Sequence, residues 1–294
     1  MSAKNLVYFG SPDFSAAILE AAATVPGIKV VGVVTSPDKP VGRKQIMTPS
    51  PVAALAARYD LPVFKPEKLT PENLAHLKLL KPDLFLVVSY GKIIPSDYLT
   101  TPARGTFNLH FSLLPKYRGA LPISEVLKNG EPETGITLMV MDEQIDHGPI
   151  ISQEKIGIDI NDNCEILTNK LTQAAITLLT RDLPVLASGS FRAVPQDEAA
   201  ATVTPSIRSR SRASAFLPWK QIKAALTGQD ALTTHNLIRS NNPDPGAWTK
   251  IDDLELKIVK TTLLGAQLII ELVQLPGKSP ISWASFAAGH PSLV

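Results

Sequence analysis

Apolar residues along this chain fall into two rhythms that alternate. NLVYFG (5–10), IKVVGVVTS (28–36), LPVF (61–64), DLFLVVSY (83–90) and TFNLHF (106–111) are short apolar or β-branched runs and read as strands. Between them, FSAAILEAAATV (14–25), PSPVAALAARYD (49–60) and TPENLAHLKLL (70–80) space their apolar residues as helices do. PSPVAALAARYD has proline at its start, and TPENLAHLKLL has a Thr cap followed by proline at its first helical position, where the missing N–H costs nothing. DLFLVVSY is apolar almost throughout, as expected of a strand covered on both faces. Strands alternating with helices predict an α/β fold built on a doubly wound, mainly parallel sheet.

Further on, PISEVLKNG (122–130) predicts a short helix closed by Gly130. TGITLMVMD (134–142) and GPIISQEKIGI (148–158) predict two strands joined by the loop EQIDHG, and residues 164–189 predict a long helix. From residue 190 the chain becomes poor in large apolar residues and reads as a linker. After it come the short helix HNLIRSN, the turn NPDPGAWT and the alternating strands LELKIVKTT and QLIIELVQL. This part predicts a smaller β-rich domain, a barrel by its pattern. The expected organisation is a catalytic domain over 1–189, a linker over 190–208 and a C-terminal domain over 209–294.

Bulk numbers change this picture little. The 294 residues suit two domains, and net charge is only +2. Charge is uneven, however: residues 209–294 hold nine Lys/Arg against six Asp/Glu, which reads as an ordinary solvated surface or as a contact face for a polyanion. The single cysteine, Cys164, excludes a disulfide within the chain and fits a reducing cytoplasm. The segment MSAKNLVYFG shows no secretory pattern. No run of about 18 apolar residues occurs, so no membrane association is expected.

The chemistry concentrates at one strand end. FGSPDF (9–14), on the first strand-to-helix turn, has one glycine where a dinucleotide-binding fold needs G-x-G-x-x-G, which argues against a nicotinamide-dependent dehydrogenase. Asn108 and His110 are two residues apart, so on a strand they share a face. An amide and an imidazole side by side can stabilise an oxyanion, and the imidazole can move a proton near neutral pH. Asp146 follows 36 residues later in DEQIDHG, where it could support the imidazole or simply shape a turn. His147 raises a metal site as an alternative, but one cysteine and no paired ligand spacing argue against metal. The polar segment 36–51, with Arg43 and Lys44, reads as a substrate-gripping loop or an ordinary exposed connection.

Asn108, His110, the SLLP of Ser112–Pro115, Gly119 and Asp146 resemble the folate-dependent formyltransferases. The resemblance runs nearly the length of the chain, through FGSPDF, SPDKPVGR, PVFKPEKL, VVSYGKIIP, FNLHFSLLPKYRGALPI, ETGITLMVMDEQIDHGPI, PQDEAAATVTPSI, NPDPGAWT and LPGK. SPDKPVGR, PGAWT and LPGK narrow it to the branch acting on charged tRNA. It implies a Rossmann-like formyltransferase domain with a smaller C-terminal, OB-like β-barrel that contacts tRNA. The implied activity is transfer of formyl from 10-formyltetrahydrofolate, as co-substrate, to the α-amine of methionylated initiator tRNA. It implies Asn108, His110 and Asp146 as the catalytic trio. It also implies a folate pocket of Val88, Ser89, Tyr90, Gly91, Ile94, Ser112, Leu113, Leu114, Pro115, Met141 and Asp142. Arg43 and Lys44 would meet the tRNA, no metal would be needed, and a cytoplasmic monomer is expected. Formylation of a sugar nucleotide or of glycinamide ribonucleotide, hydrolysis of formyl-folate, and a non-catalytic tRNA-binding role stay open as alternatives.

Overall fold

A computed structural model describes residues 3–42 and 44–291. The chain divides into two compact units. The first comprises residues up to 118, 135–156 and 169–203; the second comprises 119–134, 157–168 and 204 onward.

The first unit opens with β1 (Lys4–Gly10), α1 (Asp13–Thr24) and β2 (Ile28–Val34). The polar segment that follows forms a small antiparallel hairpin of β3 (Lys39–Val41) and β4 (Ile46–Thr48), with Lys44 exposed at its turn. Arg43 lies outside the described residues. Then come α2 (Pro51–Arg58), β5 (Val63–Phe64), α3 (Pro71–Leu79), β6 (Leu84–Val88), α4 (Ser96–Leu99) and β7 (Thr106–His110). Both α2 and α3 are capped: Ser50 accepts from the Ala53 amide, and Thr70 with Asn73 forms a reciprocal capping box before Pro71. After α5 (Pro122–Lys128), which belongs to the second unit, the chain returns as β8 (Glu133–Val140) and β9 (Ile150–Gly157), and then runs into α6 (Cys164–Ser188), whose first residues also belong to the second unit.

The sheet order is β5-β2-β1-β6-β7-β8-β9. The pairs from β5 to β7 are parallel, and β8 is antiparallel to β7. Both faces are covered, which is why β6 and β7 are buried at every position. The strand order reverses direction between β1 and β6, and ligands of doubly wound sheets sit in the crevice beyond the strand ends at such a point. There the backbones crowd: a Cβ on Gly10 would lie 2.0 Å from Ser15 Oγ and 2.9 Å from the Val88 carbonyl. Ser15 Oγ donates to that carbonyl at 2.9 Å, tying α1 to the end of β6.

The second unit adds α7 (Trp219–Leu226), α8 (Ala231–Asn241), a four-stranded sheet of β10 (Trp248–Ile251), β11 (Leu254–Leu264), β12 (Gln267–Gln274) and β13 (Ile281–Ser282), and α9 (Trp283–Gly289). The described strand pairs are antiparallel. Ile238, Leu256, Ile258, Leu268 and Phe286 form its core. α8 is longer than HNLIRSN suggested, and it buries polar side chains because they bind the chain segment 157–168. Arg239 Nη1 donates to the Asp159 and Asp162 carbonyls at 3.1 and 3.2 Å.

His235 belongs to the same staple. Its Nε2 is 2.8 Å from the Ile160 carbonyl and its Nδ1 2.9 Å from Thr261 Oγ1. With the proton on Nε2, both contacts are satisfied by the neutral ring. Burial, and secondarily the Arg239 charge, depress its pKa below the ordinary histidine value. The unfolded chain therefore binds the proton first as pH falls. This unit is expected to lose stability as pH drops below about 6.5 and to be indifferent to His235 above it. Melting temperatures between pH 7.5 and 5 should fall less steeply in His235→Gln than in the parent; equal slopes would remove His235 as the cause.

Candidate active site

β7 alternates its side chains, so Phe107 and Leu109 face one side and Asn108 and His110 the other. The strand ends at His110, at the carboxyl edge of the sheet. Opposite it, the loop after β8 turns sharply: Asp146 adopts φ +50, a left-handed conformation that aspartate tolerates better than most residues. This turn brings its carboxylate onto the β7 pair. Asn108 Nδ2 donates to Asp146 Oδ1 at 3.0 Å, and His110 Nδ1 lies 3.4 Å from Asp146 Oδ2. His110 Nε2 is 2.8 Å from the Tyr117 carbonyl. Both imidazole nitrogens thus face oxygen acceptors, an arrangement fully satisfied when each carries a hydrogen. The three side chains are nearly enclosed, with the His110 and Asp146 side chains 6% and 14% exposed.

The remaining candidates divide by environment. Val88, the last residue of β6, is buried, as are Tyr90 and Ile94 just after it, and Met141 packs against the same cluster as Tyr90 and Ile94. Ser89 and Gly91 carry φ values of +51 and +80, and both are exposed. Burial pushes the Tyr90 phenol up to about 12, and its buried hydroxyl has no hydrogen-bond partner among the described residues. Ser112 and Leu114 are buried, whereas Leu113 and Pro115 are part-exposed. Ser112 Oγ donates to the Lys116 carbonyl at 2.7 Å and the Leu114 amide to Thr137 Oγ1 at 3.1 Å, so these two hold the loop's shape. Asp142 is occupied by its own loop, accepting from the Gln144 amide at 3.0 Å and lying 2.6 Å from His147 Nδ1. No cluster of three or more metal-ligating side chains occurs among the described residues.

Two residues that sequence reasoning did not single out lie beside Asp146. Gln196 Nε2 donates to the Asp146 and Gly148 carbonyls at 2.9 and 2.8 Å. Arg118, buried, donates through Nε and Nη2 to Gln196 Oε1 at 3.1 and 2.8 Å. Both lie in segments that carry the family resemblance, PQDEAAATVTPSI and FNLHFSLLPKYRGALPI, but nothing in residue type or spacing gave either a task.

The formyl transferase family matches residues 4–183. A methionyl-tRNA formyltransferase of Staphylococcus aureus is 41% identical over 269 residues, covering 91% of this chain and 82% of that protein. Among solved structures, an N-formyltransferase from Helicobacter canadensis in complex with folinic acid and dTDP-3-aminofucose has a TM-score of 0.66 at 21% identity, covering 93% of this chain and 95% of that one. Phosphoribosylglycinamide formyltransferase from Bacillus halodurans has a TM-score of 0.54 at 25% identity over 64% of this chain and 97% of that one. The sugar enzyme shows the fold; the level and span of identity to the tRNA enzyme show the kinship, and the chain belongs to the formyl transferase family, on the branch of the methionyl-tRNA formyltransferases.

Proposed function

We propose that this protein transfers formyl from 10-formyltetrahydrofolate to the α-amine of methionyl initiator tRNA. The observation that carries the chemistry is the Asp146 carboxylate bridging Asn108 and His110 at the end of β7. Identity to the tRNA enzymes across both units supports the acceptor. The segment 88–95 follows β6 at the switch point and holds two exposed left-handed residues, Ser89 and Gly91, which supports reading it as the wall for a flat pterin that pairs with main chain.

Each residue has a stated task. The neutral amine attacks the formyl carbon, and the carbonyl oxygen becomes negative. Asn108 has two amide hydrogens; one is on Asp146 and the second serves that oxygen. His110 supplies positive charge beside it, and its long Nδ1 contact with Asp146 can exchange for the oxyanion. One such donor is worth about 2.7–4 kcal/mol of transition-state stabilisation. Asp146 sets its carboxylate against the imidazole and accepts the proton leaving the amine, which passes on to N10 as the carbon–N10 bond breaks. Lys44 and Arg43 meet the acceptor arm, and the part from residue 209 onward, as a small barrel, meets tRNA phosphates. The protein acts as a monomer in the cytoplasm. Among the described residues no helix is long and apolar enough to cross a membrane.

The deciding assay offers 10-formyltetrahydrofolate with charged initiator tRNA and, separately, with amino-sugar nucleotides. Formylation of the tRNA is expected; transfer to the sugar alone would replace this reading with the sugar-nucleotide one.

A further inference from the structure

The chain between α6 and residue 204 runs over both loops that flank His110. Val194 pairs with Ile150 through two backbone hydrogen bonds of 2.8 Å. Gln196 then reaches the main chain on either side of His147, donating to the carbonyls of Asp146 and Gly148. Its own oxygen is fixed by Arg118, whose other edge forms a bidentate pair with Glu198 at 2.6 and 3.0 Å. Six residues beyond Gln196, Thr202 Oγ1 accepts from the Tyr117 amide at 2.8 Å, and the Thr202 carbonyl accepts from the Arg118 amide at 2.9 Å. Tyr117 is the residue whose carbonyl meets His110 Nε2.

Both oxygen partners of the imidazole are therefore set by one strap. Asp146, facing Nδ1, sits on a left-handed turn whose carbonyls Gln196 holds; Tyr117, facing Nε2, is held by Thr202. We propose that Gln196 and Thr202 are positioning residues for formyl transfer, acting through Asp146 and Tyr117 on the orientation of His110. This rests on the catalytic reading above. An amide is the side chain this place requires: its nitrogen gives two hydrogens to two carbonyls while its oxygen accepts from a guanidinium, and no other neutral side chain of that length does both. Placement matters because a misalignment of about 1 Å at a reacting group can cost on the order of 10²-fold.

The test compares wild type with Gln196→Met, which fills the space without hydrogen bonds, and Gln196→Glu, which still accepts from Arg118 but loses both donors. Both variants should lower kcat about 10–100-fold with KM for donor and tRNA little changed, and both should speed hydrogen–deuterium exchange over 142–148. Thr202→Val should give a smaller kcat loss. In an Asp146→Asn background, Gln196→Met should cost no more than about twofold, because its route of action is already gone. A full repeat of the kcat loss in that background, wild-type kcat in Gln196→Glu, or unchanged exchange at 142–148 would each overturn the proposal. If wild type formylates neither acceptor, the catalytic reading fails separately, and exchange over 142–148 alone decides whether the strap holds the loop.

Discussion

Asp146→Asn should lower kcat by about 10²–10⁴-fold, the range for loss of a positioned acid–base group, with the melting temperature close to wild type. Asparagine has nearly the same shape and is at ease in the left-handed conformation that Asp146 adopts, so the turn survives. The contacts do not. The carboxylate presents an oxygen to Asn108 Nδ2 at 3.0 Å and another to His110 Nδ1 at 3.4 Å. An amide has one oxygen and one NH₂: with its oxygen on Asn108 Nδ2, its NH₂ faces His110 Nδ1 and meets a donor with a donor whenever that nitrogen carries a hydrogen. The negative charge opposing the imidazole is lost as well. Because these interactions act on the tetrahedral intermediate, the loss should fall on kcat more than on KM. Single-turnover formyl transfer, with circular dichroism on the same preparation, separates this from unfolding. A variant within threefold of wild type would take the carboxylate out of the mechanism.

The part of this site that lies on one strand was legible in the sequence, because the period of two is a local rule: Asn108 and His110 had to share a face. Asp146 was a weaker candidate from its residues alone, since the 36-residue gap from His110 is closed only by β8 folding back antiparallel to β7. Gln196 is 50 positions from Asp146 and pairs with main chain; such a bond leaves no pattern in side-chain types. The hairpin over 39–48 was missed for a different reason. Its Val41, Ile46 and Met47 are more than half exposed, so no buried face imposes an alternation. α8 was underestimated because its buried face carries His235 and Arg239, which reads as polar until their partners on 157–168 are seen. The same partnership puts 157–168 in the second unit, and packing of α5 on α8 puts 119–134 there, a division that composition cannot reveal because it depends on contacts across some 75 positions.

The other face of β7 gives the largest expected effect on stability. Phe107 is fully buried and meets Phe191 edge to face, with ring centroids 5.3 Å apart and planes at 87°. β7 is paired on both sides, with β6 and with β8, so the strand cannot easily close over a lost ring. Phe107→Ala should cost about 3–5 kcal/mol through lost burial and the cavity left behind, lowering the melting temperature by on the order of 10 °C. The two backbone ladders beside it are untouched, and they set where Asn108 and His110 point. Turnover per folded molecule, measured well below the new melting point, should therefore stay close to wild type. This is the reverse of the Asp146→Asn outcome, and the two variants together separate what the strand does for the fold from what it does for the reaction. If Phe107→Ala kept its melting temperature but lost turnover, the two faces would not be independent, and the ring on the far side would have to be counted as part of the machinery that aims His110.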